Sequence, residues 1–214
     1  MIIPTMVLDN FFRYPEKIVN FSKTLHYTEC PNGEWPGKRS APLHEIDFNF
    51  FNQFTQKVIK TLWPTDGHIV SYNCKLFFQS ISNIYPNEGW IHTDSDQITV
   101  IVYLSTHKEC GTSVFEPKFH THSFINTKEK KQSYINKNFK KEKNFLKENN
   151  QQFEETIHIK SRFNRMVLFD SRQIHGAHKF VENDISEDRL TLIGFFNNVH
   201  GDGIKFHGSE NNRI

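Results

Sequence analysis

Trp90-Ile91-His92-Thr93-Asp94 sets an imidazole and a carboxylate two residues apart. Side chains alternate along an extended backbone, so His92 and Asp94 are expected on one side of it. In a chain with twelve His, such a pair is weak by itself. Met166-Val167-Leu168-Phe169-Asp170-Ser171-Arg172-Gln173-Ile174-His175 adds a third donor after an apolar strand and a polar turn. His175 lies 83 residues beyond His92, far enough for a separate strand to bring it back. Two His and one carboxylate on one face of a metal leave positions open, which suits non-haem Fe(II) better than a closed structural zinc site. His178 competes with His175, but it has the opposite strand parity and follows Gly176-Ala177. Asp96 reads as a solvated or supporting carboxylate.

Around these stretches the chain reads as short β-branched and aromatic runs. Strands are expected over Val70–Ser80, Gln97–Leu104, Ser113–Glu116, Thr156–Lys160, Met166–Phe169 and Leu190–Phe196. Two amphipathic helices precede them. Asp9-Asn10 is expected to cap the first, with Phe11, Phe12, Ile18, Val19, Phe21 and Leu25 at roughly helical spacing. His44–Trp63 reads as the second, ended by Pro64, with a Pro- and Gly-marked loop from Glu29 to Pro42 before it. Helices first and strands afterwards predict a β-sandwich or barrel buttressed by N-terminal helices. Thr127–Asn149 breaks the strand series with eight Lys and three Glu, so it carries +5 while the rest carries −3. Ile135, Phe139 and Leu146 give it a weak helical stripe. It is expected to be a solvated helical insertion, a lid or a docking surface.

Arg189-Leu190-Thr191-Leu192 begins fourteen residues after His175. On a strand Arg189 and Thr191 share a face, and an inward Arg beside a metal is costly unless it meets an anion. A guanidinium fork suits a carboxylate. Tyr103 could offer its hydroxyl to the same group. On a Pro-Gly loop, Trp35 and Arg39, with Trp90 nearby in sequence terms to the metal pair, are candidates for a substrate entrance. The bland reading makes that loop a surface turn whose Trp35 packs on the first helix. His200 and His207 read as exposed residues of a Gly-rich tail.

His92, Asp94, His175 and Arg189, in this order and spacing, resemble the 2-oxoglutarate/Fe(II)-dependent dioxygenase superfamily, above all its small prolyl-4-hydroxylase-like and phage-type members. Tyr103-Leu104 and Gly111-Thr-Ser-Val-Phe are similar to strand features of that family. The resemblance spans roughly Val70–Phe196; the long Lys-rich segment departs from it. It implies a mainly β fold, a double-stranded β-helix (jelly-roll) buttressed by helices, in one domain over residues 1–214. It also implies Fe(II), 2-oxoglutarate and O2, with ascorbate as a stimulant. Arg189, Thr191 and Tyr103 would bind 2-oxoglutarate, which is decarboxylated to succinate as a small molecule or protein side chain is hydroxylated. Two other readings remain. A non-oxidative cupin-type isomerase or ligand sensor could display the same metal ligands without needing Arg189. A catalytically silent member used as an interaction module would not need intact ligands.

The chain has 214 residues, 21 of them Phe, enough for a sizeable core. Its net charge of +2 does not call for a nucleic-acid partner, although a modified nucleobase stays within the substrate range. No apolar run approaches a membrane span or a signal peptide. Three Cys without a CxxC pair suit reduced thiols and a cytoplasmic setting better than a disulfide framework.

Overall fold

A computed structural model describes residues 3–63, 70–119, 132–133, 135–182 and 184–201. Ten strands and four helices are assigned among them: β1 (Met6–Leu8), α1 (Pro15–Lys23), β2 (Tyr27–Glu29), β3 (Lys38–Ser40), α2 (Leu43–Ile46), α3 (Phe48–Leu62), β4 (Val70–Ile81), β5 (Ile98–Tyr103), β6 (Gly111–Pro117), α4 (Phe139–Asn150), β7 (Phe153–Lys160), β8 (Arg165–Asp170), β9 (His175–Ala177) and β10 (Arg189–Gly201). Seven strands form an antiparallel sheet in the order β1-β8-β5-β10-β4-β3-β2, and three form a smaller one, β7-β6-β9. The result is a mainly β, double-stranded β-helix with helices against the larger sheet.

Register explains why the long strands carry apolar residues on both of their faces. In β4, β5 and β10 the even-numbered Leu76, Phe78, Ile98, Val100, Val102, Leu192 and Phe196 join the core with Phe54, Val58, Ile59 and Leu62 of α3. The odd-numbered Phe77, Gln79, Thr99, Ile101, Ile193 and Phe195 line a cavity on the other face. Both faces are covered, so hydrophobic alternation is blurred. Phe residues dominate the helix side: Phe12, Phe21, Phe50, Phe54 and Phe78 meet ring to ring at 5.7–6.4 Å, a geometry that adds to simple burial.

Three expectations about the helices are corrected. Asp9-Asn10 does not cap α1. Asp9 instead pairs with Arg165 at 2.6 Å and Arg162 at 2.9 Å, and Asn10 adopts φ 56°. The helix starts at Pro15, whose missing N–H and fixed φ suit a first helical position. Nor is His44–Trp63 one helix. Asp47 is extended at φ −145°, ending α2, and its carboxylate accepts from Phe50 N at 2.9 Å to start α3. Pro64 lies outside the described residues.

The Lys-rich segment is the third correction; residues 127–131 and 134 of it lie outside the described set. α4 is not merely solvated. Its lysines are exposed, but Glu142, Phe145, Leu146 and Asn149 are buried, whereas Ile135 and Phe139 of the expected stripe are exposed. Asn149 donates to Ile91 O at 2.9 Å, and Asn150 accepts from Ile91 N at 3.1 Å and donates to Gly89 O at 2.9 Å. The helix therefore clamps the backbone just before His92. Asn149→Ala is expected to destabilise the protein by about 1–3 kcal/mol, since it strips a buried carbonyl of its donor. Chemical unfolding checks the stability. A drop in metal affinity in the same variant would show the clamp reaching the His92 segment, whereas unchanged unfolding would mean that α4 only decorates the surface.

No helix among the described residues is long and apolar enough to cross a membrane. Cys30, Cys74 and Cys110 are unpaired.

Candidate metal centre and its cavity

His92 and Asp94 lie on an extended segment that belongs to neither sheet, and a single antiparallel bridge fastens it to the first residue of β9. His92 N donates to His175 O at 2.9 Å and His175 N to His92 O at 2.8 Å, so the two imidazoles are held side by side by their own backbones. Asp94 N adds a bond to Ser171 O at 2.9 Å. Gly89 and Gly176 permit this closeness. A Cβ on Gly89 would lie 2.4 Å from Ala177 O, and one on Gly176 3.0 Å from Trp90 O.

One ligand atom from each of His92, Asp94 and His175 falls within 4.8 Å of the others. Asp94 Oδ1 is 3.4 Å from His92 Nε2 and Asp94 Oδ2 is 3.4 Å from His175 Nε2. Both imidazoles are oriented the same way. His92 Nδ1 lies 2.7 Å from Trp90 O and His175 Nδ1 2.8 Å from Gln173 O. A carbonyl can only accept, so Nδ1 carries the proton and Nε2 keeps a free lone pair, as a metal ligand requires. The Trp90 ring stacks on His92 at 4.8 Å and Phe169 meets His175 edge-on at 4.7 Å, fixing the rings. Burial pushes the Asp94 carboxyl up, but the two imidazoles outweigh it and hold it well below the usual carboxylate range. Burial and the neighbouring His175 push His92 down, towards the neutral form. A half-buried carboxylate between two imidazoles whose Nε2 atoms face it is a donor set for a divalent cation.

His178 is not part of this cluster. Its Nδ1 lies 3.0 Å from Glu155 Oε2, beside His158, in a second group on the smaller sheet. Asp96 lines the cavity mouth and accepts from Asn197. His200 is exposed, but it lies within the last residues of β10 rather than in a tail, and His207 is outside the described residues.

The cavity beside the cluster has a volume of about 470 Å³, within the range of small-molecule sites. Arg189, 4% exposed, enters it from the start of β10. The acidic neighbours in its sequence are engaged elsewhere, Glu187 with Thr106 and Asp188 with Asn83. Arg189 Nε is buried without an acceptor, its guanidinium held 5.7 Å from the Tyr103 ring and 5.5 Å from Phe180. Burial pushes its pKa down, a cost that an incoming anion would remove. Thr191, on the same face, has a buried hydroxyl that also lacks a partner. Tyr103 is buried one strand away on the same face, with its hydroxyl 2.7 Å from Thr112 Oγ1, and Thr112 rather than Tyr103 lines the cavity.

Trp35 and Arg39 line the same cavity as Trp90, so the loop is not a surface turn packed on the first helix. Gln79, Thr112 and Phe180 are lining residues that sequence reasoning missed. Gln79 and Thr112 could have been found from strand parity with Thr191 and with the Gly111 strand start. Phe180 lies in an irregular segment with no periodic signal.

No curated protein matches the sequence. Solved structures match in overall fold at low identity. SnoN, a non-heme alpha ketoglutarate dependent epimerase from nogalamycin biosynthesis, aligns with a TM-score of 0.58 at 11% identity, over 98% of this chain and 87% of its own. HygX from Streptomyces hygroscopicus, with nickel, 2-oxoglutarate and hygromycin B bound, gives 0.54 at 9%, over 91% and 83%. A prolyl hydroxylase from Trichoplax adhaerens, in complex with a hypoxia inducible factor peptide, gives 0.50 at 12%, over 90% and 83%. The chain thus shares its double-stranded β-helix fold with these three structures. Residues 3–196 match the family described as Family of unknown function (DUF6445), and the chain belongs to that family.

Proposed function

We propose that this protein is an Fe(II)- and 2-oxoglutarate-dependent dioxygenase that hydroxylates a small molecule or a protein side chain, with residues 1–214 acting as one catalytic domain. The observation that carries the proposal is the pairing, in one cavity, of a His-Asp-His donor set with a buried and unanswered Arg189. The oxygenase fold and the 2-oxoglutarate named for HygX support it. A cupin-type isomerase or sensor would need the metal ligands but not Arg189.

His92, Asp94 and His175 would hold the iron, and Arg189 the far carboxylate of 2-oxoglutarate. Once bound, the pair supplies the oxidising chemistry: O2 is consumed as 2-oxoglutarate loses CO2 to give succinate. The protein's own part is positional. Trp90 O and Gln173 O keep both Nε2 atoms aimed at one point. Arg189 offers two parallel N–H donors, and the Thr191 hydroxyl a further one. Ile101, Ile193, Phe195 and Phe180 make the surrounding wall apolar, which excludes water and strengthens those charges.

Calorimetry without oxygen tests the proposal, with Mn(II) standing in for iron. 2-Oxoglutarate is expected to bind the metal-loaded protein at one equivalent and far more weakly without metal. Metal binding with no response to 2-oxoglutarate would favour the cupin-type reading.

A further inference from the structure

The cavity holds a second guanidinium without a bonded acceptor, that of Arg39. Arg39 stands on β3 at the opposite side of the larger sheet's cavity face from Tyr103. Register places Arg39 beside Gln79, Gln79 beside Thr191 and Thr191 beside Tyr103, one rung across four strands. Two strand spacings put the Arg39 backbone about 10 Å from that of Thr191, well away from the Arg189 end. The guanidinium is boxed by rings: Trp35 at 4.0 Å, Phe77 at 5.6 Å and Phe195 at 5.6 Å. Burial pushes its pKa down to about 10, and Cys30, Asp94 and Glu34 only partly offset this. Among the described residues no carboxylate lies within ion-pair distance of it. Arg39 Nε is buried without an acceptor, and so is the indole Nε1 of Trp35 stacked against it.

Two adjacent buried donors, one of them charged, leave an acceptor missing, because burying such groups unpaired is costly. Asp94 cannot supply it once its charge is committed to a metal. Asp96 and Lys75, at the mouth, offset each other. Glu34 also lines the cavity and acts on Arg39 without an ion pair, so with 2-oxoglutarate answering the metal and Arg189 the Arg39 guanidinium still lacks a bonded acceptor. Aromatic faces occupy the sides of the Arg39 guanidinium, so a ligand must approach its edge, where parallel N–H donors match a carboxylate or a phosphate through two hydrogen bonds. A carboxylate brings one charge and a phosphate monoester nearly two, so a single guanidinium in an apolar wall suits the carboxylate.

We infer that Arg39 and Trp35 form a carboxylate-recognition subsite, and that the substrate of this site is a small carboxylic acid whose apolar part packs beside Phe77 and Phe195. This rests on the oxygenase reading only for what happens to the substrate, not for its capture.

Intrinsic tryptophan emission tests it, with Trp35→Phe identifying the signal of Trp35. The probes are a set of N-acetyl amino acids, their matching amides and phenyl phosphate, added to the protein alone and to protein holding Mn(II) and 2-oxoglutarate. Some of the free acids are expected to quench Trp35 emission while their amides do not, with phenyl phosphate weaker. Arg39→Met is expected to weaken the best acid about 30-fold or more. Arg39→Lys, which keeps the charge, serves as the folding control and should show a smaller loss. Equal binding of acids and amides, no acid binding at millimolar concentration, or wild-type affinity in Arg39→Met would each overturn the inference. Preference for phenyl phosphate would replace the carboxylate by a phosphate ester. Calorimetry on the same samples follows 2-oxoglutarate, so a failed oxygenase reading appears separately, as acid binding without 2-oxoglutarate binding.

Discussion

His175→Ala, His92→Ala and Asp94→Ala are each expected to abolish metal-dependent turnover. Each removes one of the donor atoms gathered within 4.8 Å. The loss should exceed the roughly 10–100-fold that removing an outer partner of a metal ligand costs. His175→Ala is the sharpest of the three, because its backbone bridge to His92 needs no side chain and should survive the substitution. A loss of metal affinity with little loss of fold is therefore expected. Metal titration of each variant, with thermal unfolding as the control, provides the check. His178→Ala is the comparison: its side chain faces Glu155, so its metal-dependent turnover should stay near wild type. The opposite pattern, intact affinity in His175→Ala and loss in His178→Ala, would move the third ligand.

Arg189→Leu is expected to raise the 2-oxoglutarate requirement while leaving the metal donors in place. The side chain is buried among Tyr103 and Phe180, so Leu fits an apolar setting and removes the fork without adding a charge. Leaving a buried carboxylate without its charged partner costs roughly 2–5 kcal/mol, or about one to four orders of magnitude in affinity. Calorimetric titration of 2-oxoglutarate into metal-loaded variant measures this directly. An unchanged affinity would place the far carboxylate elsewhere and leave the buried cation of β10 without its assigned role.

These expectations begin in the sequence, and the pattern of what it conveyed is physical. The long strands β4, β5 and β10 were legible because each runs for six residues or more and is rich in apolar, β-branched and aromatic residues. β1, β2, β3 and β9 span three residues each, too short for any periodicity to register. β9 nonetheless carries His175, and the donor could be read from chemistry where the strand could not. The break in the second helix was visible in principle, since Asp47 is a good N-cap and a poor helix-interior residue. Apolar spacing on both sides of it hid the stop. In α4 the lysine count drew the eye to the exposed face, while Asn149 and Asn150, polar by type, turned out to hold the Gly89–Ile91 backbone. Arg39 shows the same limit from the other direction. Sequence suggested a loop at an entrance, and only the pairing of β3 with β4 carries the residue into the cavity wall.

One measurement bears most directly on the central claim: conversion of 2-oxoglutarate to succinate by the purified protein under air, with Fe(II) and ascorbate, compared with the same protein stripped of metal and with Asp94→Ala. Slow succinate formation that requires Fe(II), disappears in Asp94→Ala and rises when a carboxylate substrate is present is the predicted result. Metal binding of full strength with no consumption of 2-oxoglutarate under any of these conditions would contradict the account and leave a metal-binding jelly roll of non-oxidative function.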